Sequence, residues 1–296
     1  MRKYSIFDAH CDTLCLIADD KIDYYGNKGE VTRKALDSYE NYTQIFACFI
    51  APDYRERAME RFDVLSGCFD KMDFGRTRAI LSVEGGEMIR SLEDVDYLAK
   101  RGVRCIALTW NNSNNIAGGA DEPEVGLSRF GKSVIARMEE HGILVDVSHL
   151  NDRSFYDVLS VSHEPVIATH SDSRYICGHR RNLTDEMMKL IAETGGSAGI
   201  NLYPLFLNGT ENADIEDIMR HIEHWADIGV IDSVGIGADF DGTDGLLPDG
   251  ISGASDMWKI FDQMRERGFS DSEIENVSHG NFERVFGKYK KENNNA

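Results

Sequence analysis

Ser128-Arg129-Phe130-Gly131-Lys132-Ser133-Val134-Ile135-Ala136-Arg137-Met138-Glu139-Glu140-His141-Gly142-Ile143-Leu144-Val145-Asp146-Val147-Ser148-His149 holds one complete unit of the fold. Ser128 is a capping residue at the head of a helical pattern, and Gly142 stops that pattern. The run 143–147 then lacks polar alternation, as strands covered on both faces do. His149 lies just beyond its end.

Working outward, similar apolar runs fall at 4–8, 44–50, 79–83, 104–109, 165–169, 197–201 and 233–238, which makes eight in all. Helical patterns follow most of them, at 53–72, 91–100, 128–141, 151–159, 184–193, 214–227, 255–267 and 270–289. This alternation predicts an α/β protein, a single (β/α)8 TIM-type barrel over 1–289 with a polar tail at 290–296. A doubly wound open sheet is the alternative. Connections 110–127 and 202–213 are too long for plain turns. Long loops after barrel strands shape active sites.

Composition narrows the class. Hydrophobic residues are 42% and charged residues 28%, enough apolar material for a large core. The longest wholly apolar stretch, 45–51, is far shorter than the ~20 residues a membrane helix needs. A net charge of −19 repels phosphate backbones and anionic lipid, so neither nucleic acid nor membrane is an expected partner. Six cysteines without a CxxC pair read as reduced thiols. Met1-Arg2-Lys3-Tyr4 leads directly into an apolar run with no signal-like core, and the cytoplasm is the expected compartment.

In a barrel, chemistry sits where strands end. Those ends carry Asp8-Ala9-His10-Cys11-Asp12, Val83-Glu84-Gly85-Gly86, Asp146-Val147-Ser148-His149, Ala168-Thr169-His170 and Gly237-Ala238-Asp239-Phe240-Asp241-Gly242. Singly, each reads as a turn former or a structural residue. Brought to one rim, they gather imidazoles and carboxylates that call for divalent cations, zinc ahead of manganese or iron. His10, Asp12, Glu84, His149 and His170 exceed one tetrahedral site. They fit two metals if Glu84 bridges, with His10 and Asp12 on one and His149 and His170 on the other. Arg180-Arg181-Asn182 is the basic cluster near these motifs. It reads equally as a clamp for a substrate carboxylate or as a surface pair at a helix entry. His221 and His224, three apart beside Glu223, read as a solvated helix face, with a surface metal clip as the alternative.

Together these motifs, with Arg180-Arg181-Asn182-Leu183-Thr184-Asp185 and Gly280-Asn281-Phe282-Glu283-Arg284-Val285-Phe286, resemble the membrane (renal-type) dipeptidase family of zinc peptidases. The resemblance implies a hydrolase that uses two zinc ions per chain to cleave dipeptides with a free C-terminal carboxylate, through a hydroxide shared by the metals. It implies that Arg181 binds that carboxylate and that Asp239 passes a proton to the leaving amine. Trp110 and Tyr203 join Arg181 as expected substrate contacts. One position departs: the family's Leu-Thr-His run is here Leu108-Thr109-Trp110, and Trp110 reads as either an oxyanion donor or a pocket wall. A related amidohydrolase acting on an N-acyl amino acid or a lactam, and a non-catalytic metal-retaining barrel, are the alternatives. A homodimer is left open.

Overall fold

The computed structural model describes residues 2–26 and 28–288. Its eight strands are β1 (Arg2–Asp8), β2 (Tyr39–Phe49), β3 (Arg78–Glu84), β4 (Val103–Ala107), β5 (Leu144–Asp146), β6 (Val166–Ala168), β7 (Ser197–Ile200) and β8 (Val234–Ile236). They lie parallel in chain order, and Ile236 of β8 pairs with Asp8 of β1. That last pairing closes the sheet, so the architecture is the (β/α)8 barrel and not the open sheet. No helix among the described residues is long and apolar enough to cross a membrane. All six cysteines are free thiols. The proposed tail 290–296 and the last expected helical residue, Tyr289, lie outside the described residues.

Strands β5, β6 and β8 are three residues long, shorter than the apolar runs that announced them. Buried carboxylates take over where the regular ladder stops. Asp146 Oδ1 accepts from the backbone N–H of Ser148 and of Thr169, at 2.9 and 3.0 Å. Asp8 Oδ1 accepts from Ala238 at 2.9 Å, and Asp172 Oδ1 from Asn201 at 3.0 Å. Buried amides need partners, and these side chains supply them while leaving the strand ends free to diverge into loops. Strand β2 begins earlier than expected because exposed Glu40 and Asn41 interrupt the apolar run that Tyr39 and Tyr42 share.

The helix starts follow the capping residues. Ser128, Asn151, Thr184 and Asp214 each accept from the backbone N–H three positions on, at 2.7–3.2 Å. Two expected helices are broken. A 3₁₀ turn, Pro52–Arg57, precedes helix Ala58–Lys71. The last helical pattern divides into Asp271–Glu275, a π turn at Asn276–Gly280, and Asn281–Lys288. The short helices Thr13–Ala18, Arg33–Leu36 and Pro204–Leu207 are too brief to show a period.

Helix Asn281–Lys288 plugs the N-terminal end of the barrel. Phe282, Val285 and Phe286 join Phe7, Ile45, Ile80, Cys105, Leu144 and Ile167 in one buried cluster. The Phe7 ring lies 5.3 Å from both Phe282 and Phe286. A Cβ on Gly235 would stand 2.5 Å from the Phe282 ring, so only glycine admits that ring there. Asn281 Nδ2 donates to the carbonyls of Ile231 and Val234 at 2.9 and 2.7 Å. With the lower end filled, the opposite rim is left for chemistry. Phe282→Ala should lower the unfolding free energy by about 3–5 kcal/mol in chemical denaturation. A loss below about 1 kcal/mol would show that the plug adds nothing to the core.

Candidate metal centre

Five strands bring the side chains of the upper rim together. Glu84 ends β3; His10 and His170 stand two residues past β1 and β6; His149 and Asp239 stand three past β5 and β8. The backbone stays extended beyond β1, because Ala9 N–H donates to Ile236 O and Cys11 N–H to Ile45 O, at 2.9 and 3.1 Å. His10 and Asp12 therefore face the same side. His149, Asp239 and Asp241 adopt φ of +68°, +61° and +64°. Such left-handed backbone is unfavourable for non-glycine residues, and here it is concentrated at the rim.

Glu84 stands at the centre. Its Oε1 lies 2.6 Å from His149 Nε2 and 3.9 Å from His170 Nε2. Its Oε2 lies 3.1 Å from His10 Nε2, which is 3.8 Å from Asp12 Oδ2 and 3.8 Å from Asp239 Oδ1. The ring nitrogens of His149 and His170 face each other at 2.8 Å. Three overlapping groups have their donor atoms within 4.8 Å of one another: Glu84 with His149 and His170, His10 with Asp12 and Glu84, and His10 with His170 and Asp239. His10 Nε2, Asp12 Oδ1 and Glu84 Oε2 are buried without a hydrogen-bond partner. Unsatisfied nitrogens and oxygens converging in a buried site suit divalent cations.

The electrostatics agree. Burial pushes the Asp12 carboxyl up to about 7, and the neighbouring Glu84 charge adds to it. Burial also raises Asp239, with Glu84 again opposing its ionisation. Burial opposes ionisation of Glu84 too, but His149 and His10 outweigh it and hold that carboxyl well below its usual range. His149 is pushed down to about 4 by burial and by the Arg181 charge, against the opposing pull of Glu84.

Outer contacts fix the rings. His149 Nδ1 bonds Asn111 Oδ1 at 2.9 Å, and His170 Nδ1 bonds Thr169 Oγ1 at 2.8 Å. Thr169 Oγ1 in turn donates to Asp146 Oδ2 at 2.5 Å, a chain of the kind that orients metal-bound imidazoles. Asn201 Nδ2 donates to Asp239 Oδ2 at 2.9 Å, leaving Oδ1 towards the centre. Asn111 and Asn201 carry no motif of their own and escape a sequence reading. Asp146 does leave a signal, as a carboxylate inside an apolar strand.

A cavity of about 560 Å³ opens onto this rim. Trp110 lines it, its ring 5.6 Å from Phe49 and 6.2 Å from His149. Tyr203 lines it too, edge-on to Phe206 at 4.9 Å. Arg181 is 4% exposed, rests over the Phe206 ring at 5.5 Å, and has an Nε without a partner. Among the described residues its guanidinium forms no ion pair, which excludes the surface-pair reading of this arginine. His221 is not solvated. It is fully buried, accepts from Ser173 N–H at 3.0 Å and bonds Leu207 O at 2.8 Å, so it braces the loop that carries Arg181. Its place beside Ile218, Ile222 and Trp225 on the apolar helix face was the missed signal. His224 pairs with Asp185 at 2.8 Å and stacks on Tyr175.

A family model for membrane dipeptidases (peptidase family M19) matches residues 1–296. Among solved structures, the chain resembles dipeptidase AC, a metallo peptidase of family M19, with a TM-score of 0.88 and 23% identity over 97% of this chain and 100% of that one. A metallo peptidase from Rhodobacter sphaeroides, liganded with a phosphinate mimic of the dipeptide L-Ala-D-Ala, superposes with a TM-score of 0.86 and 22% identity over 96% and 100% of the two chains. The probable dipeptidase PvdM from Pseudomonas aeruginosa gives 0.85 and 20% over 97% and 96%. These structures bear on the fold, while the family match spans the whole sequence. The chain belongs to the membrane dipeptidase family and is a metallo-dipeptidase.

Proposed function

We propose that the protein hydrolyses dipeptides bearing a free C-terminal carboxylate, with two zinc ions held at the rim. The observation that carries this reading is the divided Glu84 carboxylate, with Oε1 towards His149 and His170 and Oε2 towards His10 and Asp12. A carboxylate facing two donor groups is suited to bridge two ions, each with three protein donors and an open position. When bound there, the ions polarise the scissile carbonyl and make a water nucleophilic near neutral pH.

The chain's own residues do the rest. Arg181, buried without a carboxylate partner, takes the substrate's C-terminal carboxylate through its planar fork. Asp239 Oδ1 receives the proton of the attacking water and delivers it to the leaving amine, while Asn201 holds its other oxygen. Burial of Asp239 favours its protonated form and so suits a proton carrier. Trp110 and Phe49 wall the cavity on one side, and Tyr203 faces the substrate from the loop after β7. The Trp110 ring packs on Phe49, which favours the wall, while its N–H stays available as a donor. The ligand of the Rhodobacter sphaeroides peptidase mimics a dipeptide, a guest of a size that this cavity admits.

Elemental analysis after zinc loading should approach two ions per chain, and Glu84→Gln should lower occupancy and abolish turnover. Full activity under strong chelation would overturn the metal reading. Arg181→Lys should reduce kcat/KM by roughly 10- to 150-fold, the worth of a charge-assisted hydrogen bond. C-terminally amidated dipeptides should be correspondingly poor substrates, and equal rates for acid and amide would remove Arg181 from this role. Trp110→Phe should leave metal content unchanged and kcat within about threefold. A fall of ~10²–10³-fold would instead make the indole N–H an oxyanion donor.

A further inference from the structure

We propose that Arg180 selects dipeptides whose second residue carries an acidic side chain. The inference rests on the reading of Arg181 given above. Charge in the cavity is divided. His179, Arg180 and Arg181 line it from the loop after β6, whereas Asp12, Glu84, Asp239 and Asp244 line it from the ends of β1, β3 and β8. With Arg181 on the α-carboxylate, the second residue's side chain branches from the adjoining carbon and comes within range of the lining beside Arg181.

Arg180 is the next guanidinium there. Its Nη2 lies 2.5 Å from Asp121 Oδ1, and its side chain is 63% exposed. Asp121 is itself tied to the loop after β4, its N–H donating to Asn111 O at 2.9 Å. One arm of the fork is thereby held, and the remaining donors have no partner among the described residues. An exposed pair of this kind contributes little and yields readily to a new carboxylate. Of the neighbouring lining, Leu205 and Phe206 are apolar, and Asp244 beyond Tyr203 is acidic, which leaves Arg180 as the cation beside Arg181. A side-chain carboxylate accepts from Arg180 in a charge-assisted bond, whereas a side-chain amide accepts from it only as a neutral group.

The Arg180–Asp121 pair also ties two loops together, and a mere tie behaves differently. Removing either partner of a tie harms every substrate alike. Removing Asp121 from a selecting arginine leaves that arginine more available to the substrate.

The test compares kcat/KM of the zinc-loaded enzyme on Ala-Asp and Ala-Glu with Ala-Asn and Ala-Gln, in both configurations of the second residue. The acids should be favoured by about tenfold over the amides. Arg180→Ala should bring the ratio to within about twofold of one, and Asp121→Asn should keep or raise it. Product inhibition by free aspartate against asparagine, read as binding, should follow the same order in all three proteins. A ratio near one in the parent enzyme, or equal losses on all substrates in both variants, would overturn the proposal. Turnover of the amide dipeptides without acid preference leaves the dipeptidase reading standing and removes only this one. No turnover of any dipeptide removes both.

Discussion

Asp12, Glu84 and Asp239 are buried around one imidazole, His10, and their mutual repulsion is the constraint that the upper half of the barrel answers. Carboxylates crowded in a dry site either take up protons or recruit positive charge. The rim offers both: Asp12 and Asp239 are drawn towards protonation, while Glu84 keeps its charge between His10 and His149. Such a cluster also has to be held against its own tendency to spread. Five separate strands deliver the donors, and only a closed sheet brings five strand ends to within a few ångströms of a common centre. The barrel is thus a device for holding like charges together until cations arrive.

The holding is done by a second set of acids. Asp8, Asp146 and Asp172 take no place among the candidate ligands, yet each accepts backbone N–H groups from the next turn of the rim. They tie the strand ends to one another below the reactive groups. Arg181 answers a related need: its buried guanidinium stands beside the cluster, where an anionic guest completes the balance.

Much of this was legible in the sequence, for local reasons. Each strand–helix unit carries its own start and stop residues, so the alternation is readable without knowledge of the whole. The candidate ligands are readable because a His or an acid ends an otherwise apolar run. What was not readable depends on contacts between distant segments. Asn111 and Asn201 matter only because they meet His149 and Asp239. The π turn at Asn276–Gly280 and the short strands β5, β6 and β8 reflect how the chain fits its neighbours rather than its own pattern. Taken as a pair with His224, His221 looks solvated, yet the helix period sets it apart among Ile218, Ile222 and Trp225.

The plug at the barrel's base has a consequence for how the protein is born. Residues 282–286 fill the interior between β1 and its neighbours, yet they are translated after every strand they support. During vectorial synthesis the first seven strands must therefore wait with an unfilled centre and an unpaired seam. The seam needs β8, and the floor needs the helix Asn281–Lys288 made last of all. Contacts between Phe7 and Phe282 span nearly the whole chain, and contacts so distant in sequence form late and slowly. The nascent chain carries exposed apolar strand interiors through that interval, the condition in which chaperones and aggregation compete for it.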